Sequence, residues 1–347
     1  MTIDEIYIKR CIQLAKNGLG TTYPNPLVGS VIVHQGKIIG EGWHYQAGEP
    51  HAEVHAINSV KDTSLLIDAT IYVSLEPCSH YGKTPPCCDL IIAKGIKKVV
   101  IGTIDPFAKV SGTGIQRLIN AGCDVKIGIL EKECQELNKR FLTYHNHKRP
   151  YVILKWAETA DGFIAPKKRS ERAPAWITNT YSRQLVHKWR AEEQSILVGN
   201  QTVIQDNPKL TIRDWSGIHP IRISIDLHHK IPKDSKILDQ QVKTMIVTTQ
   251  KNSLINATNL LYEFTDPTPN IADKLCNILH THTIQSILVE GGTQTIQSFI
   301  DLNLWDEARV FKGTTYFKAG IKAPVIKGTL ISEEKIIDDH LKKYRND

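Results

Sequence analysis

A chain of 347 residues is longer than one hydrophobic core usually supports, so two domains are expected. Hydrophobic residues make up 41% and charged residues 23%, the balance of a soluble globular protein, which argues against a disordered or fibrous chain; no apolar run approaches the roughly 18 residues of a membrane span. The formal net charge of +7 suits a phosphorylated ligand or a nucleic acid, but Lys and Arg are spread without a block, so charge alone selects neither.

In chain order, MTIDEIYIKRCIQLAKNG reads as an amphipathic helix over 3–17 with no apolar signal core, which places the protein in the cytoplasm. Residues 28–44 read as two short strands joined at Gln35-Gly36, and 51–60 as a helix. A strand at 70–77, a helix from Pro86 to Lys94, a strand at 97–102, a helix at 113–121 and a strand at 123–129 follow. This alternation predicts a largely parallel sheet covered by helices. One polar helix is expected over 131–145, and the charged segment stopped by Pro150 marks the boundary between domains 1–147 and 148–347. Beyond it, 151–158 reads as a buried strand, with further strands at 195–200, 221–226, 244–249, 286–292 and 307–311. Helices fit at 179–192, 271–280 and 293–300. The second domain is therefore also α/β, and it lacks the G-x-G-x-x-G fingerprint of a standard Rossmann site. Residues 315–347 carry no interpretable motif.

Of seven cysteines, Cys11, Cys123, Cys134 and Cys276 stand singly among apolar neighbours and read as small buried hydrophobes. Cys78, Cys87 and Cys88 are clustered within LEPCSHYGKTPPCCD, downstream of PHAEVHA. One imidazole and two thiolates can hold zinc and leave a fourth position for water, whose pKa falls to about 7. His51, Cys78 and Cys87 are the candidate ligands, and Glu53, two residues after His51, is placed to take and return a proton. An H-x-E followed by P-C…C is the signature of zinc-dependent base deaminases. The spacing here is C-x8-C, so SHYGKTPP would bulge beside the open position. Cys88 competes with Cys87, which is favoured because it falls in the first turn of the predicted helix, where a thiolate is stabilised. A closed structural site would need a fourth ligand, for which His44, His55, His80 and Cys88 are the candidates.

NPLVGSVIV, GEGWHYQAGEPHAEVHA, EPCSHYGKTPPC and GTIDPFAKVSGTG resemble the deaminase half of the bifunctional riboflavin-biosynthesis deaminase/reductase family. KWAETADGFIA, WITN, LVGNQTVIQDNPKLTIR and LVEGGTQT resemble its reductase half. The resemblance implies a cytidine-deaminase-like αβα domain followed by a dihydrofolate-reductase-like α/β domain. It implies hydrolytic deamination of 2,5-diamino-6-(5-phosphoribosylamino)pyrimidin-4(3H)-one, then NADPH-dependent reduction of the ribosyl group of 5-amino-6-(5-phosphoribosylamino)uracil to ribityl. By position His51, Cys78 and Cys87 match the zinc (Zn2+) ligands, and Glu53 matches the proton shuttle. Asn25, His44, His80 and Lys83 match substrate contacts; Asn25 can read a pyrimidine edge, and His80 with Lys83 can hold a phosphate.

In the second half the resemblance implies NADPH contacts from Ala157, Trp176, Thr202, Asp206 and Leu227. The segment Gly292, Thr293, Gln294, Thr295, Ile296, Gln297 and Ser298 completes that set. Substrate contacts are implied at Pro174, Arg190, Leu210, Arg213 and Glu290, with the two arginines as bidentate phosphate partners. Lys155 and Asp206 are the candidates for proton management during hydride transfer; Lys155 interrupts an apolar strand and needs a polar purpose. Glu158, Thr159 and Asn207 depart from the family pattern. The implied partner is a small phosphorylated pyrimidine, with no nucleic acid or membrane, and a homo-oligomer is compatible with the sequence.

Three rival readings stand beside this one. A tRNA-type base deaminase with an appended domain fits the basic charge but not the C-x8-C insert or the missing aromatic-basic stripe. A non-catalytic zinc-stabilised protein leaves Glu53 without a purpose. A third reading keeps the deaminase and lets the reductase decay.

Overall fold

A computed structural model describes residues 1–81, 85–106, 112–167, 171–250 and 257–346. The chain divides into two compact units, Met1–His147 and Lys148–Asp347.

The first unit runs α1 (Ile3–Ala15), β1 (Gly29–His34), β2 (Lys37–Trp43), α2 (Ala52–Asn58), β3 (Thr70–Leu75), α3 (Cys87–Ala93), β4 (Lys98–Thr103), α4 (Thr113–Asn120), β5 (Asp124–Ile127), α5 (Glu131–Leu137) and α6 (Lys139–His147). Thr2 and Glu5 close a reciprocal capping box that starts α1. The sheet order is β2-β1-β3-β4-β5. Only β3, β4 and β5 are parallel; β1 pairs antiparallel with β2 and β3. The expectation of a largely parallel sheet is corrected here. Gln35 (φ 48°) and Gly36 (φ 73°) make a two-residue turn that can only return the chain antiparallel.

Strand alternation feeds two apolar layers. Ile32, Ile71, Val73, Val99 and Ile101 pack with α2, α3 and α4 on one face. Val31, Val33, Tyr72 and Val100 pack with α1 and α5 on the other. A Cβ on Gly42 of β2 would stand 2.5 Å from Ala56 N and 2.6 Å from His55 Cβ, so a glycine there lets α2 lie directly on the strand. The single helix expected over 131–145 is two helices. Asn138 breaks it: its side chain donates to Leu27 O (2.9 Å) and accepts from Leu27 N (2.8 Å), and holding both bonds fixes the junction.

The second unit runs β6 (Tyr151–Glu158), β7 (Phe163–Pro166), α7 (Thr180–Glu192), β8 (Ser195–Gly199), α8 (Asn200–Asp206), β9 (Ile221–Ile225), β10 (Thr244–Thr248), β11 (Leu260–Phe264), α9 (Ile271–Thr281), β12 (Ser286–Gly291), α10 (Thr293–Asp301), β13 (Glu307–Lys312), β14 (Gly320–Lys322), β15 (Thr329–Ile336) and β16 (Asp339–Arg345). Its main sheet has the order β11-β10-β9-β8-β12-β6-β13-β16-β15, parallel from β11 to β13 and closed by the antiparallel pair β16 and β15. The core lies on both faces: α9 and α10 cover Val152, Leu154, Val289 and Val310, whereas α7 covers Ile153, Leu288 and Phe311. The elements α8, β7, β11, β14, β15 and β16 were not anticipated from the sequence. Among them, β15 and β16 turn the uninterpreted tail into a hairpin on the edge of the sheet.

Candidate functional sites

In the first unit His51 is the N-cap of α2 and Cys87 is the first residue of α3, while Cys78 follows the end of β3. The helix starts and the strand end bring one nitrogen and two sulfurs together. His51 Nδ1 lies 3.5 Å from Cys78 Sγ and 3.3 Å from Cys87 Sγ, and all three donor atoms fall within 4.8 Å of one another. Zn–S bonds of about 2.3 Å and Zn–N bonds of about 2.0–2.1 Å in a tetrahedron set S···N near about 3.6 Å, so the donor triangle fits zinc. The Cys87 N–H donates to Cys78 Sγ at 3.2 Å. The Cys87 thiol, followed by His51, holds the Cys78 thiol well below its usual value, at about 4, so this group favours the thiolate that a metal needs.

Cys88 does not share the site. Its thiol points to Pro77 O (3.2 Å) and Gly114 O (3.5 Å), and burial pushes its pKa up. None of the other donors considered for a closed site joins the cluster. His44 has both ring nitrogens in use, Nε2 with Asn25 Nδ2 (3.0 Å) and Nδ1 with Pro50 O (3.1 Å). His55 stacks on Tyr45 with ring centroids 4.0 Å apart, and His80 is exposed. Among the described residues the cluster has three ligands and no fourth.

Glu53 is buried beside this cluster, and its carboxyl meets the Cys87 thiol. Burial first, then the Cys78 charge, lifts the Glu53 pKa to about 7. A carboxyl that exchanges its proton near neutrality is suited to acid and base work. Asn25 is brought to the same place: it donates to His44, whose ring meets the His51 ring edge-on at 5.4 Å. Because Asn25 donates to Nε2, the His44 proton sits on Nδ1, where Pro50 O accepts it. Burial holds the His44 pKa down, in keeping with this neutral ring. Lys83 lies outside the described residues.

The sequence analysis missed Glu76. Its buried carboxylate, two residues before Cys78, accepts from the backbone N–H groups of Gly114 (2.9 Å), Gly112 (3.0 Å), Ile115 (3.3 Å) and Asp105 (3.4 Å). The available signal was an acidic residue at the end of an apolar strand, which must find donors if it is buried.

In the second unit the carboxyl ends of β8 and β12 lie side by side. A Cβ on Gly199 would stand 2.6 Å from Thr295 Oγ1, and one on Gly291 would stand 3.1 Å from Thr202 Oγ1. The glycines thus admit α8 and α10 to the strand ends, and Gly292 N donates to Thr202 Oγ1 at 3.2 Å. The first-turn N–H groups of α10 have no acceptor within the helix, which makes this end suitable for a dinucleotide phosphate. The segment 292–298 does not act as one exposed strip. Ile296 is fully buried in the core, and Thr293 donates to Lys322 O at 2.6 Å. Gln297 accepts from Val325 N at 3.0 Å. Only main-chain atoms of Ile296 are left to meet a ligand. Trp176 is 56% exposed, with the Arg183 guanidinium over its ring, and Pro174 is exposed. Ala157 is the penultimate residue of β6, Asp206 ends α8, and Leu227 follows β9, with its carbonyl accepting from Thr249 Oγ1 at 2.7 Å.

Lys155, Glu290 and Arg190 form a buried ion cluster. Arg190 Nε and Nη2 both reach the Glu290 carboxylate at 2.7 Å, and Lys155 Nζ stands 3.8 Å from it. Burial opposes ionisation of Glu290, but Arg190 and Lys155 overcome it and hold the carboxyl at about 2. Burial lowers the Lys155 pKa. The expectation of a free Arg190 fork for phosphate is corrected: Glu290 already accepts that edge, and Nη1 donates to Thr211 O at 3.2 Å. Arg213 is exposed and has no side-chain hydrogen bond among the described residues. Leu210 is buried in the core, so its side chain offers nothing to a polar ligand. The departures have local reasons. Glu158 accepts from Trp156 Nε1, Thr159 Oγ1 accepts from Phe163 N, and Asn207 caps α8 at φ 43° while accepting from Lys236 N.

The family described as the cytidine and deoxycytidylate deaminase zinc-binding region matches residues 1–103, and the RibD C-terminal domain matches residues 150–345. The riboflavin biosynthesis protein RibD of Aquifex aeolicus is 41% identical over 324 residues, 89% of this chain and 86% of that one. The chain belongs to the RibD family. RibD of Escherichia coli is 38% identical over 326 residues, 89% and 87% of the two chains. The crystal structure of the diaminohydroxyphosphoribosylaminopyrimidine deaminase/5-amino-6-(5-phosphoribosylamino)uracil reductase from Thermotoga maritima covers 99% of both chains, with a TM-score of 0.90 and 36% identity. As a RibD protein, this chain is a bifunctional enzyme of riboflavin biosynthesis, a deaminase and a reductase. Its first half is a zinc-binding, cytidine-deaminase-like domain, and its second is the RibD reductase domain, which uses NADPH. No described helix of this RibD chain is long and apolar enough to cross a membrane.

Proposed function

We propose that residues 1–147 deaminate 2,5-diamino-6-(5-phosphoribosylamino)pyrimidin-4(3H)-one and that residues 148–347 reduce the resulting 5-amino-6-(5-phosphoribosylamino)uracil to its ribityl form, in the cytoplasm. The observation that carries this reading is the convergence of His51, Cys78 and Cys87 beside the buried carboxyl of Glu53. His51, Cys78 and Cys87 hold the zinc, which when bound supplies a nucleophile by lowering the pKa of its water to about 7. Glu53 takes the proton of the attacking water and returns it to the departing amino nitrogen, so that water replaces the amine and ammonia leaves. Asn25, fixed by His44, reads the edge of the pyrimidine, and His80 with Lys83 holds the phosphate.

In the second unit Thr202 and the backbone at the start of α10 hold the NADPH, with Ala157, Trp176, Asp206 and Leu227 around it. NADPH, when bound, supplies the hydride. Lys155, poised by Glu290, and Asp206 manage the proton at the opening ribose, and Arg213 meets the substrate phosphate. A coupled assay with the diaminopyrimidine ribosyl phosphate should show ammonia release followed by NADPH oxidation. Glu53→Gln should cut ammonia release by at least about 100-fold while the protein keeps one equivalent of zinc. Wild-type ammonia release by that variant would overturn the reading.

A further inference from the structure

Residues Thr211–Asp214 belong to no helix or strand, so their peptide groups depend on side chains for partners. Each of three successive residues has one. Arg190 Nη1 donates to Thr211 O, His219 Nδ1 accepts from Ile212 N, and His187 Nδ1 accepts from Arg213 N, all at 3.2 Å. His187 and Arg190 are three residues apart on α7 and therefore share a face. The other ring nitrogen of His187, Nε2, faces Asp214 Oδ2 at 3.5 Å. An Nδ1 that accepts requires the proton on Nε2, where Asp214 can receive it. The tautomer is thus set from both sides by the segment the ring holds.

We propose that His187 is a positioning residue for the reductase: by accepting the Arg213 N–H it aims the Arg213 guanidinium at the substrate phosphate. This rests on the reading of Arg213 given under Proposed function. His187 is buried, and burial first, then the positive charges of Arg190 and Arg213, push its pKa down to about 4 against the opposing pull of Asp214 and Glu290. The ring is therefore neutral at physiological pH and its acceptor is always available. A histidine that merely filled the core would need neither this tautomer nor a bond to an exposed arginine.

Three variants separate the possibilities, because an Asn side chain carries its oxygen where Nδ1 stands, whereas Gln carries its amide at the place of Nε2. His187→Ala and His187→Gln should raise the KM for the phosphorylated uracil substrate about tenfold with kcat within about twofold, the loss expected when one backbone hydrogen bond and the arginine it aims are released. His187→Asn should stay within about twofold of wild type in both constants. For the substrate lacking its 5′-phosphate, kcat/KM should be the same in all four proteins. Amide exchange of the peptide covering 207–219 should accelerate in the Ala and Gln variants and not in the Asn variant, while NADPH affinity is unchanged. Wild-type KM and exchange in His187→Ala, equal behaviour of the Gln and Asn variants, or a parallel loss of NADPH binding would overturn the proposal. Arg213→Gln tests the underlying reading separately: an unchanged KM there removes Arg213 as the phosphate ligand, whereas the exchange data still report whether His187 holds the segment.

Discussion

Glu290 is the anion in direct contact with both Lys155 and Arg190 inside the second unit; its side chain is 7% exposed, and those of Lys155 and Arg190 are 14% and 11%. Replacing it by Gln preserves volume and removes the charge. The Glu290 carboxyl lies at about 2 against an ordinary 4.5, a difference that linkage converts to about 3 kcal/mol. The loss expected on breaking a buried pair, about 3–5 kcal/mol, agrees in size. Because the folded-state pKa is depressed, this contribution is fully present above about pH 4.5 and disappears as pH falls toward 2. Urea unfolding followed by tryptophan fluorescence reports chiefly on this unit, which contains Trp156, Trp176, Trp189, Trp215 and Trp305, against Trp43 alone in the first. Glu290→Gln should be less stable than wild type by about 3 kcal/mol at pH 7 and by about half that at pH 3. A gap that is the same at both pH values, or below about 1 kcal/mol at pH 7, would refute the claim that the ion cluster holds Glu290 ionised.

Two further outcomes concern the first unit. Cys87→Ser should purify with far less than one equivalent of zinc, whereas Cys88→Ser should keep its zinc, as elemental analysis of the two proteins will show; the opposite pattern would reassign the ligand. Asn138→Ala removes both bonds to Leu27 and leaves a buried N–H and C=O unpaired, so it should cost about 2 kcal/mol and lower the calorimetric midpoint of the first unit by several degrees.

The metal cluster was legible because its chemistry is local: a histidine at a helix start and a cysteine after a Pro declare themselves within a few residues. The choice between Cys87 and Cys88 rested on the place of Cys87 in the first turn of the helix, and the bonds from Cys88 to Pro77 and Gly114 supply what adjacency in sequence cannot. Contacts across long separations were hidden. Nothing in the spacing of Arg190 and Glu290, 100 residues apart, shows that each is the partner of the other. Asn138 looked like any polar helix residue until its partner, Leu27, was in view. The strand β15 went unread because nearly all its residues are exposed, so no apolar alternation marks it.

Every side chain assigned here to the zinc chemistry comes from Met1–His147, and every one assigned to hydride transfer comes from Lys148–Asp347. Damage is therefore compartmental. A lesion at Cys78 removes none of the residues proposed for hydride transfer, and one at Lys155 removes none of those proposed for the zinc chemistry. Mixing a Cys78→Ser chain with a Lys155→Ala chain should therefore restore ammonia release followed by NADPH oxidation in the coupled assay.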